Sequence, residues 1–328
     1  MEAIIEDIED LLNDNEYYEA QQLVFTWAPR HKKKYGAHAL LLPLQEITSL
    51  FLKHGIEAAL SSTNVFREYI NILLEIEETE NKENMAFILS VSKKLYQLHC
   101  LHEKETKKLI SHETHLDLMS IRSEGYKCMQ IVLKWSGKFG AFPSGHPLFH
   151  AAAAVLYCGR ELSENVVNHY VRGDCGKNLA IRMIEIEGES HERIEKLGSR
   201  VEKKRELDEA AKLNALSFCR ACLSCAIMGS IKVPMDALSV YFEHVIPSKA
   251  HPLMIFTRQL LKTSAVGSSR VFKLLKVKWK SIIGEIRDDQ GKGIMSLVDE
   301  LGVLYCHQEK PQDNGNMLQN MFQTLMGV

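Results

Sequence analysis

Apolar and polar positions along this chain repeat with a helical period almost from end to end. Ile4, Ile5, Ile8, Leu11 and Leu12 share one stripe of an acidic first helix that stops near residues 13–15. Tyr17, Ala20, Val24 and Ala28 mark a second helix, which Pro29 disturbs and the basic run 30–34 closes. Cations are favoured there by the helix dipole. A third helix buries Ala37, Leu40, Leu41, Leu44, Ile47 and Phe51 and ends at His54-Gly55. A fourth, over 56–78, carries Ala59, Leu60, Thr63, Phe66, Ile70 and Leu73; a fifth, over 84–98, carries Met85, Ile88, Leu89, Ser92 and Leu95.

In the middle of the chain, the stripe Tyr126, Met129, Val132, Leu133 runs into a glycine-rich turn, Ser136-Gly137-Lys138-Phe139-Gly140. The spacing predicts a helix end there, since glycine tolerates the left-handed conformation past a helix terminus. The chain restarts at His146-Pro147, with proline suited to the first helical position and His146 as a capping or turn residue. The next helix is expected to bury Leu148, Ala151, Ala152 and Val155. This stretch reads as a junction between two helical stacks.

Residues 99–115 read as a polar loop or frayed helix end, with His99, His102, His112 and His115 at the surface. Two short helices follow at 162–174 and 178–188. The run 189–212, dense in Glu, Lys and Arg, reads as a solvated helix or insertion. Apolar segments return at 213–231, 235–246, 253–261, 271–283 and 294–304. A linker at 310–316 leads to a short amphipathic tail at 317–327. No alternating strand interrupts the series, so the fold is expected to be all-α. Tyr17-Tyr18-Glu19-Ala20 and Tyr35-Gly36-Ala37-His38-Ala39 resemble the spacing of tetratricopeptide-like units, without a strict repeat of about 34 residues. The expected architecture is an α-solenoid of tetratricopeptide-like helical hairpins in two stacked halves, each pair burying its face against its neighbours. The expected divisions are 1–140, 141–309 and a tail at 310–328.

Composition narrows the function. A net charge of −2, from 40 Lys and Arg against 42 Asp and Glu, gives no global basic field for nucleic acid. No apolar run is judged to approach the roughly 18–20 residues that span a bilayer, so direct membrane insertion is not expected. The acidic start, residues 1–7, reads as neither a secretory signal nor a transit peptide. The 8 cysteines fall mostly inside helical patterns, which suits a reducing compartment and a cytosolic protein.

Candidate chemistry is sparse. Cys219-x-x-Cys222-x-x-Cys225 is a metal or iron–sulfur half-site in one reading and three small core residues of an apolar helix in the other. No turn residue separates the cysteines, and such sites ordinarily seat a ligand pair on a turn, which favours the core reading. His146 and His150 have the spacing of a paired zinc face, but no acidic residue falls between them to act as base. There is no phosphate-binding loop, dinucleotide fingerprint or nucleophile elbow. No catalytic residue, cofactor or metal is therefore assigned. Two basic clusters remain, 30–34 and 273–280, the second with Phe272, Leu274, Leu275, Val277 and Trp279 interleaved. Each is a solvated helix face or a docking patch for an acidic partner.

Three motifs in order carry a resemblance: Tyr17-Tyr18-Glu19-Ala20; Leu133-Lys134-Trp135-Ser136 followed by Gly145-His146-Pro147-x-x-His150; and Leu325-Met326-Gly327. Together they resemble the Golgi-to-ER traffic protein 4 family, helical adaptors of the pathway that inserts tail-anchored membrane proteins. The resemblance implies an N-terminal half that docks on the homodimeric targeting ATPase. It also implies a C-terminal half that grips a ubiquitin-like-domain protein or a Bag6-type scaffold. Carried onto this sequence, it assigns Tyr18, Arg30, Lys32, Lys33, Lys34 and Asn64 to the ATPase-facing surface. Asn64 stands where the family tends to have an acidic residue, and the charged stretch 189–212 is longer than the family pattern. For the second partner, Leu253, Phe256, Leu260, Phe272, Leu275 and Trp279 are expected to form an exposed apolar face.

Two readings compete with that adaptor. One is a helical-repeat scaffold of another cytosolic assembly, which the same physics builds. The other is a metal-dependent enzyme using the Cys219 cluster or the His146/His150 pair.

Overall fold

The computed structural model describes residues 2–106, 112–157, 162–195, 200–245, 250–287 and 293–309. Among them there is no β-strand, and the chain is all-α. Fifteen helices follow in order: α1 (Glu2–Asn13), α2 (Tyr17–Tyr35), α3 (Leu41–Lys53), α4 (Ala59–Glu75), α5 (Lys82–Thr106), α6 (His112–Phe139), α7 (Pro147–Leu156), α8 (Glu164–Arg172), α9 (Gly176–Glu195), α10 (Arg200–Ile227), α11 (Lys232–His244), α12 (Pro252–Val266), α13 (Ser269–Lys278), α14 (Lys280–Glu285) and α15 (Met295–Cys306). A short 3-10 turn, Ala37–Leu40, precedes α3. Two compact units divide the chain: residues 1–160 with 168–178, and residues 161–167 with 179–328.

In the first unit the helices pack mostly on the next but one, α1 on α3, α2 on α4, α3 on α5, α4 on α6 and α5 on α7, with neighbour contacts between α1 and α2, α3 and α4, α5 and α6, and α6 and α7. That pattern is the stacking of helical hairpins expected for a solenoid. Helix directions follow from the bonds. The Gln21–Asn64 hydrogen bond and the Lys32–Glu75 ion pair are both separated by 43 residues, so α2 and α4 run parallel. Arg67 pairs with Glu124, and four residues back along α4 the Thr63 carbonyl meets Cys128, four residues further along α6. The two helices are therefore antiparallel. A buried hydroxyl also bridges three helices: Gln45 donates to Tyr69 Oη at 2.9 Å, and Tyr69 donates to Asn84 Oδ1 at 2.6 Å. Burial pushes the Tyr69 phenol up to about 12.

The apolar stripes of α1 to α3 fall where periodicity puts them, with Ile8, Leu12, Ala20, Val24, Leu44, Ile47 and Phe51 buried. Other expectations need correction. α2 continues through Pro29, whose ring lies at the exposed surface. Leu60, expected in the core, is 44% exposed. α6 runs on through Gly137 to Phe139, so the turn begins at Gly140. The glycines there serve close approach: a Cβ on Gly137 would lie 2.9 Å from the Pro143 carbonyl oxygen. The stripe assigned to α7 is one position off, because Phe149, His150, Ala153, Ala154 and Leu156 are buried while Leu148 is 50% exposed. Residues 99–106 belong to α5, and His99 is buried, accepting from Arg122 at 3.3 Å. The side chains of His102, His112 and His115 lie outside the described residues, as does the tail at 310–328.

In the second unit α11, α12 and α15 pack around α10. The charged run 189–212 is helical where it is described, as the ends of α9 and the start of α10. Within Glu202–Ile227 lies a window long and apolar enough by composition to cross a membrane, which the sequence reading passed over. Half of that window is buried in this unit, where Phe218, Cys219, Cys222, Leu223 and Cys225 are fully enclosed.

Candidate docking surfaces

Three places carry the residues singled out by sequence: the outer face of α2, the turn between α6 and α7, and the α12–α15 end of the second unit. On α2, burial of Ala20, Val24 and Ala28 fixes which side faces outward. At 100° per residue the opposite side presents Tyr18, Lys33 and Arg30. All three are exposed, Tyr18 to 66%. Lys34 is also exposed, its Nζ 4.9 Å from the centre of the Tyr35 ring.

Lys32 and Asn64 occupy a different position, the seam between α2 and α4. Lys32 pairs with Glu75, and Asn64 Nδ2 donates to Gln21 Oε1 at 3.2 Å. Sequence reasoning missed an aromatic ladder on the same helix. Trp27, His31 and Tyr35 stack at i, i+4 spacing with ring centroids 4.6 and 4.7 Å apart. Desolvation lowers the His31 pKa, and the Lys34 charge adds to the effect.

The turn between α6 and α7 is a framework. His146 caps α7, its Nδ1 accepting the Leu148 N–H at 3.2 Å ahead of Pro147. Its own N–H donates to Ser136 Oγ, which in turn donates to Glu80. Trp135, fully buried, donates Nε1–H to the Glu78 carbonyl at 2.7 Å. His150 turns away from His146: its Nε2 meets the Ser144 carbonyl at 2.9 Å and its Nδ1 meets His169 Nδ1 at 2.9 Å. The motif residues 133–136 and 145–150 thus hold a loop in place. The same cap recurs at His251-Pro252-Leu253, where His251 Nδ1 accepts the Leu253 N–H at 3.2 Å. The repeated His-Pro-Leu triplet was visible in the sequence and was overlooked.

The three cysteines of α10 lie in the core. Thr257 Oγ1 sits 2.8 Å from Cys219 Sγ, and burial pushes the Cys219 thiol up to about 12 and Cys222 well above its ordinary value. A buried neutral thiol is a poor nucleophile and a poor ligand. Among the described residues no group of three or more His, Cys, Asp or Glu could hold a metal ion.

At the α12–α15 end, the expected exposed face is not the one found. Leu253, Phe256, Leu260 and Phe272 are buried, and Leu275 and Trp279 are half-buried. Trp279 packs on Phe256 with centroids 5.9 Å apart. Instead Val271, Leu274 and Val277 face outward, with the exposed cations Arg270, Lys273 and Lys278 among them. Lys276 pairs with Asp299 and ties α13 to α15.

A stack of hairpins whose marked residues are surfaces and loop anchors defines a helical-repeat docking protein. Comparison with known proteins agrees with that class. Residues 33–326 match the family model Golgi to ER traffic protein 4, and the chain belongs to this family. The crystal structure of C. therm. Get4 has the same fold, with a TM-score of 0.61, 17% identity, and coverage of 100% of this chain and 96% of that one. No curated protein matches the chain in sequence. The family is one of adaptors in the targeting of tail-anchored membrane proteins, and the role of this chain lies in that pathway.

Proposed function

We propose that this chain is a non-enzymatic cytosolic adaptor that brings a client-loaded co-chaperone to the homodimeric targeting ATPase. The observation that carries the reading is the outer face of α2. Its buried alanines turn Tyr18, Arg30 and Lys33 together into solvent, beside Lys34. Aromatic and arginine side chains are common interface anchors, and clustered cations steer an acidic partner. Lys32 and Asn64, bonded to Glu75 and Gln21, border that face and would fix its edge. The second unit would hold the ubiquitin-like-domain protein or Bag6-type scaffold through the outward residues of α13, with Leu275 and Trp279 supporting them from beneath. Joining two partners on one chain raises the effective concentration of one near the other and accelerates transfer without chemistry.

The test is a calorimetric titration of the chain into the targeting ATPase, with and without ATP, at two salt concentrations. Binding that weakens in high salt and is lost in Arg30→Glu/Lys33→Glu supports the reading. Binding that is insensitive to both salt and these substitutions removes the α2 face from the proposal. Absence of binding under every condition leaves a helical scaffold of another assembly.

A further inference from the structure

The outward side of α13 is apolar and cationic at once, and it is open among the described residues. Val271, Leu274 and Val277 are 45%, 61% and 73% exposed, while Phe272 is buried and Leu275 and Trp279 are half-buried. At 100° per residue Leu274 and Val277 lie between Lys273 and Lys278, and Arg270 stands one turn before Leu274. All three of these cations are exposed. Single exposed apolar residues are ordinary, but a set of this kind marks a surface that something covers.

The charge on this side has one sign. α13 holds Arg270, Lys273, Lys276 and Lys278 and no Asp or Glu. Lys276 turns toward α15 and pairs with Asp299, which leaves Arg270, Lys273 and Lys278 on the outward arc. Lys280, which opens α14, is exposed as well. The chain as a whole carries a net charge of −2, so the basic field here is local. A local field of this kind attracts an anionic surface.

Shape decides which kind of surface. A peptide helix is ordinarily taken by a groove, whose walls shield the residues on its floor. Here the apolar side chains stand outward on one helix, and exposures of 61% and 73% at Leu274 and Val277 are those of a ridge. A ridge about 15 Å long, with a lysine on either flank, suits a plane. At a bilayer interface aliphatic side chains enter the boundary between headgroups and acyl chains. Lysine stems lie along the same boundary and carry their ammonium groups up to the phosphates. A protein partner for this ridge would have to bring the groove itself.

We propose that the outer side of α13 docks on an anionic lipid surface, Leu274 and Val277 entering the headgroup boundary while Arg270, Lys273 and Lys278 meet the lipid phosphates. The helix lies on the bilayer and does not span it. The contact is reversible, because three aliphatic side chains bury little area and salt screens the attraction of the cations. One consequence rests on the reading of α13 as a partner surface. Partner and bilayer then compete for the same side chains, and a chain that has captured its partner leaves the membrane.

Co-sedimentation of the full chain with lipid vesicles tests the docking without any partner, so its outcome is independent of the adaptor reading. Vesicles of phosphatidylcholine alone are compared with vesicles containing about one third phosphatidylserine, at low and high salt. The wild type is set beside Leu274→Asp/Val277→Asp, Lys273→Glu/Lys278→Glu and, as a control, Arg30→Glu/Lys33→Glu on α2, each with a melting curve. The wild type should partition at least about tenfold more strongly onto the anionic vesicles, and less so in high salt. Both α13 variants should lose that partitioning while melting normally, and the α2 variant should keep it. No binding to anionic vesicles overturns the proposal and leaves a protein as the occupant of α13. Equal binding to neutral vesicles, or binding that survives Leu274→Asp/Val277→Asp, overturns it too. Equal loss in the α2 variant would mean that scattered surface charge does the binding, and overturns it as well.

Discussion

His150 and His169 face one another inside the first unit with their Nδ1 atoms 2.9 Å apart. The network fixes who holds the proton. The Ser144 carbonyl can only accept, so His150 Nε2 carries hydrogen. In the neutral ring its Nδ1 is then a lone pair, and His169 Nδ1 must be the donor. Burial lowers both pKa values, that of His169 to about 4, with the charges of His150 and Arg172 adding to it, and this keeps both rings neutral near pH 7.

Acid should therefore loosen the first unit before the carboxylates titrate. An unfolded histidine takes up its proton near pH 6.5, whereas folded His169 resists until about 4. Above pH 6.5 both states are neutral and nothing is lost. As pH falls from 6.5 toward 4 the unfolded chain binds the extra proton, and stability drops by about 2 kcal/mol at pH 5. Urea unfolding at pH 7.5 and pH 5 measures this, and His169→Gln, which retains a donor for His150, should flatten the slope. An unchanged slope in that variant would place the acid sensitivity elsewhere.

Glycine substitutions should separate close approach from simple flexibility. Gly145 has φ +97°, and a Cβ there would lie 2.6 Å from Leu133 Cδ2. Gly145→Ala is expected to cost about 1–3 kcal/mol through strain and displacement of Leu133. Gly188 lies exposed within α9 with nothing within 4 Å of its Cβ position. Gly188→Ala should stabilise by about 0.5–1 kcal/mol. Thermal melts of the two variants should move in opposite directions.

The helix periods were legible from apolar spacing, and so was the cap at His146, because His-Pro before an apolar run signals a helix start. The register of α7 was not legible. Ala151, Ala152, Ala153 and Ala154 present the same side chain on every side of the helix, so no stripe distinguishes the buried pair from the other two. α13 failed for a related reason: Val271, Leu274 and Val277 are as apolar as Phe272 and Leu275, and spacing cannot say which side meets α12 and α15. On α2 the opposite held. A single narrow stripe of alanine and valine left only one side for Tyr18, Arg30 and Lys33.

The two His-Pro-Leu caps should be equivalent in kind. His146→Ala and His251→Ala each remove the acceptor of an N2 amide, and each should cost about 0.5–2 kcal/mol. Asparagine, also a good cap, should restore most of the loss at either position, as read by chemical denaturation. Failure of asparagine to rescue either site would mean that the imidazole contributes by packing, as the Phe142 and Phe149 rings around His146 allow.

Within the basic run of α2, Lys32 should behave unlike Lys33. Its ammonium is already paired with Glu75, and both side chains are more than a third exposed, 39% and 48%. A pair this open contributes less than about 1 kcal/mol to stability. Lys32→Ala should therefore leave the melting temperature and ATPase binding almost unchanged, while Lys33→Glu weakens binding and its salt dependence. Equal losses from the two variants would show that the partner competes with Glu75 for Lys32.

The corrected C-terminal face gives the sharpest contrast between core and surface. Phe256 is fully buried beside Trp279, so Phe256→Ala should cost about 3–5 kcal/mol and destabilise the second unit whatever partner is present. Leu274 is 61% exposed, and Leu274→Asp should change stability by no more than about 0.5 kcal/mol. If α13 is the docking side, Leu274→Asp abolishes capture of the ubiquitin-like-domain or Bag6-type partner in a protein that melts normally. A charge placed there would leave an aspartate facing an apolar anchor across the interface, a penalty that a surface not used for binding would never register. Pull-down with the purified partner, paired with a melting curve for each variant, separates the two cases. Retained capture by Leu274→Asp would move the docking side off α13.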